Sequence, residues 1–260
     1  MSDEKNNDSN PSEISGRKIF FLYPTNSIQN QIIAELIQQE YEAYVAKDHG
    51  RLLYALKKYN DSIIFINLDE GMKDAEWERW INGLLAAFPA VQIGIIAPGT
   101  EEELEEKYKD KIKVSCGFTS LKNDMTKAYE KILAILDSTD AKGRRKYLRA
   151  FAERDVKATI NLPHNDGYIK GSINDISVVG FSCILEQDPD LKKNSLCSNI
   201  QIRLQSTLLK ADAIVLGSRG SNAEKMYVML FAQRTDPETR VKIRKYIQQN
   251  IQTKMDSEIN

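Results

Sequence analysis

Two short segments in the second half of the chain hold the side chains best suited to binding an anion. The first reads RRKYLR over residues 144–149 and places Arg145 and Arg149 in RxxxR spacing. The second reads DISVVG over residues 175–180, a DxSxxG pattern between two predicted strands. A guanidinium presents a planar fork of donors that matches two phosphate oxygens, and a carboxylate and a hydroxyl add further hydrogen-bonding groups. These residue types therefore predict ligand binding.

Two structural alternatives remain open for the same segments. The arginines could form a basic linker that contacts an acidic surface elsewhere in the chain. Asp175 and Ser177 could do no more than organise a turn between two strands, because short polar side chains commonly bond to nearby backbone groups.

The chain contains few of the residues that catalytic and metal-binding sites commonly use. There are only two histidines, His49 and His164, and three widely spaced cysteines without a CxxC pair. Such cysteines fit reduced thiols and argue against a disulfide scaffold or a structural zinc site. No nucleophile–base, carboxylate–metal or phosphate-loop pattern is present. We therefore expect a protein that is not an enzyme and has no metal and no cofactor.

The charge is divided unevenly along the 260 residues. Residues 1–141 carry 16 basic and 24 acidic side chains, whereas residues 142–260 carry 20 and 13, within an overall net charge of -1. A basic half attracts anions such as nucleotides, nucleic acid or an acidic partner. The first fifteen residues contain no signal-peptide core, and no apolar run is long enough to span a membrane. These features predict a cytoplasmic protein without a membrane span.

Five β/α units are predicted in the first half. Short, continuous apolar strands alternate with amphipathic helices, which is typical of a parallel sheet covered on both faces. The first helix carries a buried stripe at Ile32, Ile33, Leu36 and Ile37. This half is therefore predicted to be a doubly wound (βα)5 domain.

The periodicity changes in the second half to six short runs rich in Val, Ile, Leu and aromatic residues, separated by Gly, Pro, Asn and Asp. Six such strands predict a small β-barrel. A final helix is predicted over residues 237–252, with Pro237 in its first turn and Val241, Ile243 and Ile247 available for packing.

RxxxR followed about thirty residues later by DxSxxG, at the entrance to a β-barrel, resembles the PilZ domain, a receptor module for cyclic di-GMP. The resemblance covers residues 143–252 and implies a ligand site made of six residues: Arg144, Arg145, Arg149, Asp175, Ser177 and Gly180. It implies that the arginines contact phosphate or guanine, with Arg144 available to stack or to hold a second ligand molecule. It further implies that Asp175 accepts from guanine N1 and N2 and that the Ser177 hydroxyl bonds nearby ligand groups. Gly180 would permit either a left-handed turn or close approach of the ligand.

The first half is similar to a receiver domain of two-component signalling, but it lacks most of that family's chemical groups. Residues 22–24 read LYP where acidic residues should hold Mg²⁺, and the third strand ends in Asn67 instead of a phosphoacceptor aspartate. Asp69 follows out of register, and residues 97–98 read AP where a hydroxyl is usual. Only Lys122 matches. We therefore expect a degenerate receiver-like domain without phosphorylation chemistry.

These observations divide the chain into a disordered tail at 1–15, a receiver-like domain at 16–138, a linker with RxxxR at 139–149, a PilZ-like barrel at 150–252 and a tail at 253–260. The resulting hypothesis is a receptor that changes its inter-domain arrangement when cyclic di-GMP binds, and so signals to a protein partner. The resemblance implies control of motility, adhesion or virulence in a bacterium. A response regulator with a basic nucleic-acid-binding domain is the alternative, although no helix-turn-helix pattern supports it. An adaptor that no longer binds nucleotide is a third.

Overall fold

The computed structural model of the protein describes residues 16–108, 111–122, 124–152, 155–165, 167–220 and 225–259. The predicted disordered tail at residues 1–15 lies outside them. The chain forms two compact units, one made of Met1–Lys146 with Met255–Asn260 and the other of Tyr147–Lys254. The division between Lys146 and Tyr147 falls inside the RRKYLR segment.

The first unit is built on a five-stranded parallel sheet in the order β2-β1-β3-β4-β5. Its strands are β1 (Ile19–Leu22), β2 (Ala43–Ala46), β3 (Ile63–Asn67), β4 (Gln92–Ala97) and β5 (Phe118–Ser120). A π-helical segment at Ile28–Ile33 continues into α1 (Ala34–Gln38), and the other helices are α2 (His49–Lys58), α3 (Asp74–Ala87), α4 (Glu101–Tyr108) and α5 (Met125–Ser138).

The core of this unit lies between the sheet and its helices. Every residue of β1 and β3 is buried, as expected for strands covered on both faces. The predicted stripe of the first helix is also buried, because its isoleucines and leucine recur at helical spacing. The doubly wound, receiver-like (βα)5 fold predicted from the sequence is confirmed.

The second unit is a closed antiparallel barrel. Its strands are β6 (Ala150–Phe151), β7 (Ala158–His164), β8 (Gly167–Ser177), β9 (Gly180–Leu185), β10 (Leu196–Leu204), β11 (Thr207–Arg219) and β12 (Met226–Phe231). They follow the order β6-β8-β7-β10-β11-β12-β9, and an additional pairing of β8 with β9 closes the ring of six strands. The short β6 joins the edge of β8 outside that ring. The predicted six-stranded barrel is confirmed.

Alternation along the strands fills the barrel. Residues 158, 160 and 162 of β7 and residues 200, 202 and 204 of β10 are buried, while most residues between them are exposed or half-buried. A side-chain period of two sends every second residue inward, so short strands of this pattern suffice to build a closed core.

The last helix, α6 (Pro237–Glu258), begins at the predicted proline and runs past the predicted end. Residues 253–258 are therefore helical, not a tail, and Met255 among them is buried. Ile243 and Ile247 are buried as expected, but Val241 is 62% exposed. No helix of the described ranges is long and apolar enough to cross a membrane.

Candidate functional site

Strand pairing brings the two sequence motifs together. Asp175 and Ser177 end β8, and Gly180 begins β9 after a two-residue turn. β6 pairs antiparallel with β8 so that Ala150 lies opposite Ile176 and Phe151 opposite Asp175. Arg149 directly precedes β6. The two-residue strand β6 at the edge of the barrel therefore carries the end of RxxxR to the start of DxSxxG.

The two motifs meet in an ion pair. The Arg149 guanidinium donates from Nη1 to Asp175 Oδ1 at 3.1 Å, and its side chain is 47% exposed while that of Asp175 is 9% exposed. A buried carboxylate needs partners, because leaving water without them costs free energy. Arg149 supplies a charged partner and still presents much of its surface to solvent.

The other oxygen of Asp175 is bound from within the barrel. Ser182 Oγ donates to Asp175 Oδ2 at 2.5 Å, and Asn174 Nδ2 donates to the same oxygen at 3.3 Å and to Ser182 Oγ at 3.2 Å. Ser182 is buried and lies opposite Asp175 in the β8–β9 register. A β-bulge between Ile173 and Asp175 accompanies this arrangement. The network holds the carboxylate in one orientation.

These bonds limit what Asp175 can accept from a ligand. A carboxylate has about four lone-pair sites, and three donors already occupy Asp175. Accepting from both guanine N1 and N2, as expected from the sequence, would require one of these bonds to be replaced. In the present arrangement the carboxylate orients Arg149 and has one acceptor site left, on Oδ1.

Ser177 is occupied within its own turn. It is 4% exposed, its hydroxyl donates to the Gly180 carbonyl oxygen at 3.1 Å, and it accepts from the Val179 amide at 3.4 Å. The structural alternative considered for this residue therefore matches its contacts. The hydroxyl closes the β8–β9 turn, which fixes the position of Asp175 two residues earlier.

Gly180 is closely approached by backbone of the protein itself. It does not have the positive φ of a left-handed turn. A Cβ at this position would lie 2.3 Å from the Met229 carbonyl oxygen and 3.1 Å from Leu230 Cα. The backbone that approaches Gly180 is therefore that of β12, which pairs with β9 so that Leu230 lies opposite Gly180.

Arg144 and Arg145 lie in the first compact unit, whereas the other four predicted site residues lie in the second. Both arginine side chains are exposed, as is Arg149. The structure thus brings Arg149, Asp175, Ser177 and Gly180 together within the barrel unit, and it describes Arg144 and Arg145 as part of the other.

Asn174 and Ser182 are the site residues that the sequence reasoning missed. Asn174 reads as an ordinary turn residue, and Ser182 belongs to no motif. The β8–β9 turn could have identified Ser182. When Ser177 pairs with Gly180 in antiparallel strands, the residue two positions before Ser177, Asp175, must pair with the residue two positions after Gly180, Ser182. Strand register, and not the motif pattern, therefore identifies Ser182 as a partner of Asp175.

The carboxyl edge of the first sheet carries an aromatic and amide cluster where a receiver would hold its acidic site. Asn67 is buried, and its Nδ2 donates to the Tyr23 carbonyl oxygen at 2.9 Å. The Tyr23 hydroxyl bonds His49 Nδ1 at 2.7 Å, and Trp77 and Trp80 stack edge to face beside them. These contacts pack the aromatic side chains together at this edge of the sheet.

Asp69, the remaining candidate phosphoacceptor, is exposed and out of register with the strand end. Its backbone amide donates to Asn67 Oδ1 at 3.3 Å. Desolvation, followed by the charge of Glu70, raises the pKa of its carboxyl. Among the described residues no three His, Cys, Asp or Glu side chains form a group able to hold a metal ion.

Comparison with known proteins identifies the second half. Residues 143–249 match the family model of the PilZ domain, so the chain carries a PilZ domain over this range. The resemblance read from the two motifs is confirmed. A comparison with curated proteins gives no match.

Several solved structures are similar in fold. The PilZ domain of YcgR from Escherichia coli, with c-di-GMP, is 17% identical with a TM-score of 0.34, over 44% of this chain and 93% of that one. The inhibitor of motility MotI from Bacillus subtilis is 14% identical with a TM-score of 0.34, over 40% and 49%. A response regulator from Thermotoga maritima is 12% identical with a TM-score of 0.39, over 47% and 98%. The chain thus spans about half the length of MotI.

The contact between Gly180 and β12 makes a direct prediction about stability. We expect Gly180→Ala to lower the free energy of unfolding by about 1–3 kcal/mol, because the new methyl group must displace the backbone of β12. Urea unfolding followed by circular dichroism measures this change.

Gly167→Ala is the matched control, since a Cβ there meets nothing within 4 Å. It should leave the free energy of unfolding nearly unchanged. Equal effects of the two substitutions would show that the close approach of β12 is not what requires a glycine at position 180.

Proposed function

We propose that the PilZ domain of this chain is a non-catalytic receptor for cyclic di-GMP, with Arg145 and Arg149 as its principal ligand contacts. The observation that carries the proposal is the Arg149–Asp175 ion pair, in which one motif holds the charged group of the other at the barrel edge. An arginine whose guanidinium is already oriented loses less conformational freedom on binding.

The chemistry of the ligand fits these groups. Cyclic di-GMP offers two phosphates and two guanines. Arg149 donates to Asp175 from one terminal amino group, and its remaining N–H donors can bind guanine O6 and N7. Arg145 binds a phosphate of the ligand. Adenine presents an amino donor where guanine has O6, so the same fork would reject it. Guanine selectivity then comes from Arg149, with Asp175 as the residue that orients it.

The remaining motif residues have supporting roles in this proposal. Ser177 and Gly180 fix the β8–β9 turn, through the hydroxyl bond and through the approach of β12. Arg144 stacks on a guanine face or holds a second ligand molecule. Arg145 and Arg149 lie on opposite sides of the division between the two compact units.

A ligand that engages both arginines would restrict the arrangement of the two units. The shift cannot exceed the difference in affinity of the ligand for the two arrangements. The receptor acts in the cytoplasm in this proposal, and the ordered arrangement presents a surface to a protein partner. Motility, adhesion and virulence are the processes such a receptor would serve.

The binding claim predicts a specific pattern in isothermal titration of the full chain. The wild type should bind cyclic di-GMP, and Arg145→Ala and Asp175→Asn should each weaken binding by roughly 10- to 100-fold, as expected for the loss of a charge-assisted bond or of the group that orients it. Cyclic di-AMP should bind no better than the weakest variant.

Arg240→Ala is the control for charge alone, because it removes an exposed arginine from the first turn of α6. It should retain wild-type affinity, and thermal unfolding should show that all variants are folded. A folded wild type that does not bind cyclic di-GMP would contradict the proposal, and salt-sensitive DNA binding by the same sample would favour the nucleic-acid alternative.

The proposed switch, a change in the arrangement of the two units when the ligand binds, is tested separately. Spin labels at Arg79→Cys and Lys193→Cys, one exposed site in each unit, with Cys197→Ser, report the distance distribution between the units. Saturating cyclic di-GMP should shift or narrow this distribution, and Arg145→Ala should abolish the change. An unaltered distribution with bound ligand would refute the switch while leaving the receptor function intact.

A further inference from the structure

A second candidate ligand site lies in the barrel unit at an open cavity of about 760 Å³. Its walls are the segment 155–157, Thr159 in β7, Arg203 in β10, and the turn residues Gln205 and Ser206. The volume is within the range of sites that hold small molecules. None of these residues belongs to RxxxR or DxSxxG.

Backbone bonds hold the two walls in a fixed relation. Arg203 pairs with Thr159 in the antiparallel register of β10 and β7. The Gln205 amide, in a residue with φ of 55°, donates to the Lys157 carbonyl oxygen at 3.1 Å. Strand pairing and one backbone hydrogen bond therefore fix the position of the cavity walls.

The cationic groups of the cavity lining are Lys157 and Arg203. Arg203 donates from Nε to the Gln205 carbonyl oxygen at 3.2 Å, which orients the guanidinium and leaves both terminal amino groups without a bond to any described residue. Lys157 and Arg203 are both exposed. Together they supply an ammonium and an oriented fork, the two groups most used to bind phosphate.

The one acidic residue of the lining does not neutralise them through an ion pair. Asp155 accepts from the Lys157 backbone amide at 3.0 Å through Oδ1 and from the Tyr246 hydroxyl at 3.0 Å through Oδ2. Both oxygens are thus used to hold the segment and α6. Burial, then the bond to Asp155, raises the pKa of the Tyr246 phenol.

From this geometry we propose that the cavity binds a phosphate-bearing small molecule of nucleotide size, with Arg203 and Lys157 on the phosphate. The hydroxyls of Thr159 and Ser206 add neutral donors. Val156, which is 89% exposed, gives the rim an apolar surface for the rest of the ligand. The lining of this cavity shares no residue with the proposed cyclic di-GMP site.

Pyrophosphate is a suitable minimal probe. Titrated into the ¹⁵N-labelled full chain at constant ionic strength, it should give saturable shifts of the amides of Lys157, Thr159, Gln205 and Ser206. Arg203→Gln and Lys157→Gln should each weaken its affinity at least about tenfold, because each removes a charge-assisted contact.

Two controls test whether pyrophosphate binding is specific to the cavity. One tests for nonspecific attraction to positive charge, and the other tests for binding at the proposed cyclic di-GMP site. Lys193→Gln removes an exposed lysine outside the cavity and should change the affinity less than twofold. Arg145→Ala, which should impair cyclic di-GMP binding, should leave the pyrophosphate shifts unchanged. The proposal is overturned if the shifts do not saturate, if they are confined to residues 144–149 and 175–180, or if Lys193→Gln weakens binding as much as Arg203→Gln.

Discussion

A buried carboxylate that must be satisfied organises the candidate ligand site. Asp175 lies at the end of a barrel strand with one oxygen on Arg149 and the other on Ser182 and Asn174. Removing a carboxylate from water is unfavourable unless such bonds replace its hydration. The bulge in β8, the tight β8–β9 turn and the addition of β6 to the sheet edge all serve to bring these partners to it.

The same constraint accounts for the spacing of the motifs. RxxxR comes just before β6, and DxSxxG ends β8, so the pairing of these two strands sets which arginine meets the aspartate. Arg149 is the one that does. The first arginine of the motif, Arg145, belongs to the other compact unit.

Much of this fold could be predicted because its patterns are local. Alternation with a period of two predicted six barrel strands, and continuous apolar strands predicted the parallel sheet. The partners of Asp175 could not be read from the motifs, since Ser182 and Asn174 acquire their role from strand register. Gly180 was interpreted through a left-handed turn or a close approach of the ligand, whereas the close approach in the structure is that of β12, distant in sequence. The end of α6 was misplaced because polar residues after 252 conceal the buried Met255.

The first half has a receiver-like fold with aromatic and amide side chains at the edge of its sheet. The carboxyl edge of its parallel sheet, where ligands usually bind in such folds, holds Asn67 bonded to the backbone at Tyr23 and an aromatic cluster around Trp77. Packing replaces the acidic pocket of a receiver there. The candidate ligand site described above lies in the barrel unit.

The central claim is that Asp175 acts on the ligand through Arg149, and a double-mutant cycle tests it most directly. Cyclic di-GMP affinity would be measured for the wild type, Arg149→Ala, Asp175→Ala and the double variant, each shown to be folded. If Asp175 only orients Arg149, the double variant should bind as Arg149→Ala does, because the aspartate has nothing left to orient. If the two losses in binding free energy add, Asp175 contacts the ligand independently and the account is wrong.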